Sequence, residues 1–467
     1  MDLSRRQLFK KTLIAGAFMS LPHAAIAGSR QPLVVPPLLE SRRGKPVFLG
    51  LESIQTKLVN DTLTEVWGFN GLYLGPTVRV RKGDFVKLNY RNNLPQLVAM
   101  NIQGLQTDSN TLGGIGHSLK PGETWAPIVP INQTAATCYY HSCSLAGSAY
   151  QNYRGLVGLW LIEDDESRKA NLPNKYGVND IPLILQDIHL NNQNSPVFSS
   201  NEPHFMGNRL FINGQEAPYL NVARGWVRLR LLNASISRSY ELRFDDEREF
   251  LLIAKEQGFL PEPKPMKSIH LGTGERIEML VDLNEGGNVS LIAGKKRGIF
   301  DKLSLFIDDN GEVADNTVLE LRPEGLISAF NRQPSYQFSS IATRPKQIAQ
   351  ERTFHIDNEN AMINQKRFDP RRIDVNAKQG SVERWHITSS SAAGFRIQGA
   401  KFLVESQNDQ AVPDNELVWQ DTLRIANKAT LLVQFDNRSS NAQPFIFGSS
   451  DLLQADKGAI GLLVVQE

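Results

Sequence analysis

Apolar and polar residues alternate along several stretches of this 467-residue chain. In residues 227–231 Val and Leu alternate with Arg, and residues 83–88 follow a similar pattern. This is the pattern of a β-strand with one face buried and the other in water. Gly, Pro and Phe are frequent, and long runs of strong helix formers are scarce. The pattern predicts an all-β protein of short antiparallel strands arranged as a sandwich or barrel.

A longer repeat indicates how these strands are organised. An apolar strand that ends in Asn, a short extended segment, and a Gly followed by alternating residues occur together three times. The equivalent residues are Asn70, Asn213 and Asn364, which are 143 and 151 positions apart. Solenoid repeats are about 20–50 residues long, so each of these much longer copies is expected to be a domain with its own core.

Three β-sandwich domains in tandem account for the length of the chain. We place domain 1 at residues 28–166, domain 2 at 179–322 and domain 3 at 350–467, because apolar strands give way to charged and Pro-containing stretches between them. The first boundary is sharper than the second.

The first 27 residues have the features of an export signal. Residues 1–11 are polar and basic, residues 12–21 are weakly apolar, and small residues at 25–27 suit a cleavage site. The basic part contains Arg5 and Arg6 in a context that resembles the twin-arginine signal, which implies that the twin-arginine export machinery is a partner. We expect a periplasmic mature protein without an integral membrane segment, because no later apolar stretch reaches about 20 uncharged residues.

Charge and cysteine content exclude some classes of function. The chain has 51 Lys and Arg against 49 Asp and Glu, and the signal would remove four cations and one anion. A nearly neutral protein gives no electrostatic reason to expect nucleic acid as a partner. The two cysteines, Cys138 and Cys143, exclude a zinc site made of four cysteines. Five positions apart on a strand, they are expected to point to opposite faces and to remain unpaired.

The scaffold segments together resemble the multicopper oxidase family, in which one chain contains three cupredoxin domains. They are residues 66–77, 155–159, 180–187 and 228–235, and their order and spacing carry the resemblance over residues 30–467. The resemblance implies three tandem cupredoxin-like Greek-key β-sandwich domains. Oxidases of this family bind copper through motifs of the form His-x-His, His-x-x-His-x-His and His-Cys-His-x-x-x-His, with a Met further on.

Laid onto this chain, almost every copper-ligand position of the family holds another residue. The corresponding positions are Asn101 and Gln103; His141 and Cys143; Ala393, Arg396 and Gln398; Gly448, Ser449, Ser450 and Gln454; and Ala459 at the Met position. Arg396 would fill the space and charge that copper occupies in the oxidases. The sequence nominates no catalytic residue, no metal ligand and no cofactor, since it also lacks G-x-S-x-G, P-loop and H-E-x-x-H motifs.

His141 allows two interpretations. It could be a vestigial metal ligand, joined by Cys143 and by Cys138. Alternatively, it could be a polar residue that is packed and hydrogen bonded inside a former copper pocket. The second is favoured, because two thiols and one imidazole on one strand converge only if the strand geometry is broken.

Within the family, a twin-arginine signal on a chain without copper ligands resembles the branch of periplasmic cell-division proteins. That resemblance implies a non-enzymatic protein recruited to the division septum, with divisome proteins as partners, which stabilises or protects the divisome under stress. Two alternatives remain open: an oxidoreductase with a remnant or relocated copper site, and a folding helper or stress protectant without a fixed septal partner.

Overall fold

The structure is a computed structural model that describes residues 30–41, 45–59, 62–294, 313, 315–325, 330–339 and 341–467. The predicted signal peptide, residues 1–27, lies outside the described residues. Within the described ranges the strands form six sheets, which follow one another along the chain as three pairs. We call these pairs the first, second and third sandwich.

The first sandwich contains β1 to β12 and three short helices. Its elements are β1 (Leu38–Glu40), β2 (Val47–Lys57), β3 (Leu63–Phe69), β4 (Leu72–Tyr73), β5 (Thr77–Arg81), β6 (Phe85–Asn92), β7 (Val98–Gln103), α1 (Ser109–Leu112), β8 (Gly113–Leu119), β9 (Thr124–Trp125), β10 (Ile128–Pro130), β11 (Ala136–Ser142), α2 (Ser148–Tyr153), β12 (Val157–Glu163) and α3 (Asp165–Lys169). One sheet has the order β1-β5-β12-β11-β7-β8, and the other has the order β10-β6-β2-β3-β4 with β9 also on β6.

The second sandwich contains β13 to β24. They are β13 (Asp180–Ile188), β14 (Arg209–Ile212), β15 (Gln215–Glu216), β16 (Tyr219–Ala223), β17 (Trp226–Asn233), β18 (Tyr240–Phe244), β19 (Phe250–Lys255), β20 (Gly258–Met266), β21 (Ser268–Leu271), β22 (Arg276–Asp282), β23 (Val289–Ala293) and β24 (Thr317–Glu324). The sheet orders are β15-β14-β13-β17-β22-β19-β20 and β16-β24-β23-β18-β21.

The third sandwich contains β25 to β35, a 3-10 turn (Asp414–Glu416) and a short helix. They are β25 (Gln350–Asp357), β26 (Met362–Ile363), β27 (Ile373–Lys378), β28 (Val382–Ser389), β29 (Ala393–Ile397), β30 (Lys401–Gln407), β31 (Gln410–Ala411), β32 (Thr422–Ile425), β33 (Lys428–Gln434), β34 (Phe445–Ser449), α4 (Leu452–Lys457) and β35 (Ile460–Gln466). The sheet orders are β26-β25-β28-β33-β30-β31 and β27-β35-β34-β29-β32.

The three sandwiches share one topology, as the repeat predicts. Each has a parallel pair in one sheet, which is β2 with β6, β13 with β17 and β25 with β28. Each has another in the facing sheet, which is β5 with β12, β16 with β24 and β27 with β35. The remaining pairs are mostly antiparallel, so the all-β fold with three tandem sandwiches is confirmed. The exact domain boundaries stay predictions.

The repeated Asn has the same structural role in each sandwich. Asn70, Asn213 and Asn364 all have positive φ, between 50° and 54°, which Asn tolerates better than most residues. In the second sandwich Oδ1 of Asn213 accepts a hydrogen bond from the backbone N–H of Ile184, and Nδ2 donates to the carbonyl of Pro182. Asn70 makes the equivalent pair of bonds with the backbone of β2, and Asn364 makes it with the backbone of β25.

The apolar core joins the first sandwich to the third. Buried residues of both form one continuous cluster, which includes Ile102 and Trp160 from the first and Trp385 and Phe445 from the third. The second sandwich has a core of its own, to which Leu33 from the start of the described chain contributes. No helix in the described ranges is both long and apolar enough to cross a membrane.

Candidate functional site

The positions that correspond to the first copper motif lie on β7. Asn101 and Gln103 are buried and, two residues apart on a strand, project from the same face. Asn101 is paired with His141 of β11. Gln103 crosses to the third sandwich, where its Nε2 donates to the carbonyl of Ile397 and to Oδ1 of Asp421, both at 2.8 Å. The first motif therefore forms part of the contact between the first and third sandwiches.

His141 is buried, and both of its ring nitrogens are in contact with protein atoms. Nδ1 lies 2.7 Å from the carbonyl oxygen of Ser142, which can only accept, so Nδ1 carries the proton. Nε2 is then the acceptor for Nδ2 of Asn101, 3.5 Å away. Burial, and secondly the positive charge of Arg396, hold the pKa of His141 well below its usual range. These contacts favour the packed, hydrogen-bonded interpretation over that of a metal ligand.

The positions of the third motif lie on β29 and just after it. Ala393, Arg396 and Gln398 are all buried. Ile397, between the last two, accepts the hydrogen bond from Gln103, so this segment meets the first motif. We use the name polar cluster for Asn101, Gln103, His141, Arg396 and Gln398.

The positions of the fourth motif have a backbone that limits which side chains fit. Gly448 has a φ of 136°, and a Cβ atom added there would lie 2.4 Å from the carbonyl oxygen of Ala459. Ser449 is buried at the end of β34. Any residue with a side chain at position 448 would require the backbone to move.

The rest of the fourth motif contacts the second sandwich. Oγ of Ser450 lies 2.8 Å from Oγ1 of Thr273, and Nε2 of Gln454 donates to the carbonyl of Pro203. These two side chains therefore tie the second and third sandwiches together.

Both cysteines are free and buried, in agreement with the expectation that they do not pair. Cys138 lies in the apolar core, and Sγ of Cys143 donates to the carbonyl of Ala99 at 3.6 Å. Burial raises the pKa of each thiol to about 12. Both sulfurs are therefore protonated at neutral pH, whereas a metal ligand must be a thiolate.

The residues at the former copper positions do not fit a copper centre. Copper requires imidazole nitrogens, thiolate or thioether as ligands. The cluster instead presents three amides, a guanidinium that has no lone pair to donate, and one imidazole whose nitrogens are in hydrogen bonds. Across the part of the chain that the structure describes, no three His, Cys, Asp or Glu side chains are grouped so that they could hold a metal ion.

Next to the polar cluster, one ion pair joins all three sandwiches. Arg276 of the second sandwich pairs with Asp421 of the third, with 2.6 Å between Nη2 and Oδ2. Nε of Arg276 also donates to the carbonyl of Thr137 in the first sandwich, at 2.9 Å. Gln103 donates to the same carboxylate. Sequence reasoning did not single out Arg276 or Asp421, since neither belongs to a recognisable motif of ion-pairing residues.

A second buried ionic network lies within the second sandwich, where it contacts the first. Glu278 accepts from Nε of Arg228 at 2.7 Å and from Nη1 of Arg230 at 2.8 Å, and Asp180 accepts from Nε of Arg230 at 2.7 Å. Oγ1 of Thr137 donates to Glu278 at 2.6 Å. The network lines a polar cavity of about 250 Å³. All four charged residues belong to the second sandwich, and the hydroxyl of Thr137 links them to the first by hydrogen bonds.

Comparison with known proteins agrees with this geometry. Residues 51–167 match the model of a multicopper oxidase family. The Cell division protein FtsP of Actinobacillus succinogenes is 73% identical over 466 residues, which cover 100% of both chains. The FtsP of Dickeya dadantii is 41% identical over 468 residues, with 100% of this chain and 99% of that protein covered. The chain belongs to the FtsP family.

Solved structures place this FtsP-family chain on the multicopper oxidase fold. The laccase-like multi-copper oxidase CueO of Ochrobactrum sp. superposes with a TM-score of 0.85 at 30% identity, covering 93% of this chain and 100% of that one. The laccase of Pediococcus acidilactici gives a TM-score of 0.83 at 23% identity, with 94% of each chain covered. The predicted cupredoxin-like fold class and the resemblance to the cell-division branch of the family are both confirmed.

Proposed function

We propose that this chain is a non-enzymatic cell-division protein of the periplasm, exported by the twin-arginine machinery and recruited to the division septum. There it would bind divisome proteins and stabilise or protect the divisome under stress. The cell-division part of the proposal is supported by relatives that carry the name Cell division protein FtsP and match the whole chain.

The non-enzymatic part is supported by one observation, which is the buried guanidinium of Arg396 among amides where the oxidases have imidazoles. A fixed positive charge repels a metal cation, and Arg is protonated at every physiological pH. A fold shared with oxidases does not conflict with this, because function depends on the site and not on the scaffold.

The first experiment tests for an enzyme. The mature chain, folded in the presence of copper, is analysed for bound metal and for oxygen consumption with phenolic and cuprous substrates. We expect substoichiometric copper, no intense blue thiolate–copper absorption, and no oxygen consumption. Stoichiometric copper that is lost in the His141→Phe variant would support the alternative of an oxidoreductase with a remnant copper site.

The second experiment tests the cellular role. A fusion to a fluorescent protein that survives twin-arginine export is imaged in dividing cells, with and without heat or osmotic stress. We expect a band at the septum, and filamentous growth under stress when the gene is deleted. The His141→Phe variant should restore division, because no metal is required. Diffuse periplasmic fluorescence throughout division would instead favour a stress protectant without a septal partner.

A further inference from the structure

Arg396 is a buried cation without a counter-ion in the described structure. The residue is only 2% exposed, and its Nε and Nη1 atoms have no hydrogen-bond partner among the described residues. The most deeply buried other arginines of the chain behave differently. Arg276 pairs with Asp421, and Arg228 and Arg230 share Glu278. Arg396 therefore differs from the other deeply buried arginines, which are paired with carboxylates.

An uncompensated buried guanidinium is unfavourable, and the side chain cannot avoid the cost by losing its proton. Buried charges in proteins are accordingly paired with an opposite charge or with a bound ion. The buried nitrogens Nε and Nη1 of Arg396 have no acceptor among the described residues, so they define a site where an acceptor is needed.

Other side chains of the polar cluster also have unused hydrogen-bonding capacity. Oδ1 of Asn101, Oε1 of Gln103 and Nε2 of Gln398 are buried and have no partner among the residues that the structure describes. Gln398 is two residues from Arg396, so its amide N–H groups can supply further donors. Oδ1 of Asn101 and Oε1 of Gln103 are acceptors and would not contact an anion, whereas Nε2 of Gln398 is a donor, like Nε and Nη1 of Arg396. The unpaired donors point to a bound species that accepts hydrogen bonds.

No carboxylate among the described residues forms an ion pair with Arg396. Burial raises the pKa of Tyr139 and of Cys143, so both stay protonated, and His141 is neutral. Asp456 acts on the cluster from a distance, but its carboxylate accepts hydrogen bonds from Ser148 and Ala149 and forms no ion pair with Arg396.

We propose that the polar cluster is an anion site, in which Nε and Nη1 of Arg396 and Nε2 of Gln398 bind one small monovalent anion of the chloride class. A single charge is expected, because one guanidinium is the only unpaired cation described in the cluster. A divalent oxyanion would bring an excess negative charge into a site closed to water. The anion would join the first and third sandwiches where the oxidases hold metal.

The test uses the folded mature chain with bromide and chloride as probes. Crystals grown in bromide should show an anomalous peak within hydrogen-bond distance of Nε or Nη1 of Arg396. In solution, replacing gluconate by chloride at equal ionic strength should raise the thermal unfolding midpoint by about 2 °C or more, since a ligand that binds only the folded state stabilises it.

Variants separate this site from general salt effects. Arg396→Met should lose both the bromide peak and the chloride response, and Gln398→Leu should weaken both. Arg371→Met is the matched control, because Arg371 has a 90% exposed side chain, and it should respond like the wild type. If Arg396→Met does not fold, the wild-type bromide crystal and the Gln398→Leu variant still test the proposal. A wild-type crystal without bromide at Arg396, or an undiminished chloride response in Arg396→Met, would overturn the proposal.

Discussion

Arg276 and Asp421 form an ion pair that is closed to solvent, with 0% exposure of both side chains. Their residues belong to different sandwiches, and the arginine also donates to the first sandwich through the carbonyl of Thr137. Compared with apolar residues of similar volume, a buried ion pair of this kind contributes little to the stability of the folded protein. Removing only one partner is costly, because the other charge stays buried without a partner. Its position makes it one of the contacts that fix the three sandwiches relative to one another.

We expect Arg276→Met to destabilise the protein by about 3–5 kcal/mol, because it leaves the carboxylate of Asp421 buried and unpaired. The double variant with Asp421→Leu should cost less than the sum of the two single changes. Urea unfolding, followed by fluorescence and circular dichroism, measures both. The exposed pair of Arg371 with Asp369 provides the control, and Arg371→Met should change stability by less than about 1 kcal/mol. If the loss of stability in the double variant equalled the sum of the two single losses, Arg276 and Asp421 would not be energetically coupled.

This ion pair shows what the sequence could not predict. The residues are 145 positions apart, and a charged residue within a strand pattern is normally interpreted as a solvent-facing position. Nothing local to Arg276 distinguishes it from an exposed arginine. Only the packing of three sandwiches onto one another removes its surface from water.

Glu278 should account for part of the acid sensitivity of the protein. Burial alone would raise its pKa, but Arg228 and Arg230 outweigh this effect and lower the pKa from 4.5 to about 2. A carboxylate with a lowered pKa in the folded state stabilises the fold above its unfolded pKa, and this contribution is lost as the pH falls. We therefore expect a loss on the order of 3 kcal/mol between pH 4.5 and 2 from this group.

The measurement is the thermal unfolding midpoint as a function of pH. Glu278→Gln should be less stable than the wild type at pH 7 and should have a flatter decline between pH 4.5 and 2. Asp414→Asn is the control, because that carboxylate is 83% exposed, and its acid limb should follow the wild type. An unchanged acid limb in Glu278→Gln would refute the assignment.

His204 should give a pH dependence of the opposite sign. Its Nδ1 lies 2.9 Å from Oδ2 of Asp451, and that hydrogen bond raises the pKa of the imidazole despite partial burial. A group whose pKa is raised on folding stabilises the protein fully below its unfolded pKa of about 6.5, and the stabilisation is lost as the pH rises through the folded value. Stability should therefore decline on going from pH 6 to pH 8 by more in the wild type than in His204→Gln.

The control for this prediction is His270→Gln, which removes an exposed imidazole on β21. Its pH dependence between 6 and 8 should match the wild type. Asp451 also accepts hydrogen bonds from the N–H groups of Leu453 and Gln454 at the start of α4. Asp451→Ala should consequently cost more than His204→Gln at every pH, because it also removes the helix cap, which is worth about 1 kcal/mol. Equal costs would show that the cap contributes nothing.

The repeated Asn is the feature that the sequence predicted best. Its recurrence at 70, 213 and 364 located three copies of one domain, and the structure gives the reason for the residue type. A left-handed backbone and a side chain with both an acceptor and donors are needed at the same corner. By contrast, the mapped copper positions could be placed from their order along the chain. The lack of a counter-ion at Arg396 could not be predicted, because it depends on the side chains that surround this residue in the fold.

The corner in the second sandwich should be the most sensitive to substitution. Asn213 is buried, and its amide satisfies the backbone N–H of Ile184 and the carbonyl of Pro182. We expect Asn213→Gly to lower the free energy of unfolding by about 1–3 kcal/mol, because these groups lose their partner away from water. Asn213→Ala should cost roughly 1–2 kcal/mol more, since Ala disfavours the left-handed backbone.

In Asn70→Gly, the matched control, the equivalent backbone groups are exposed, so water replaces the amide and the effect should be smaller. Urea unfolding of the three variants measures these differences, and an equal loss at both corners would mean that burial does not set the cost.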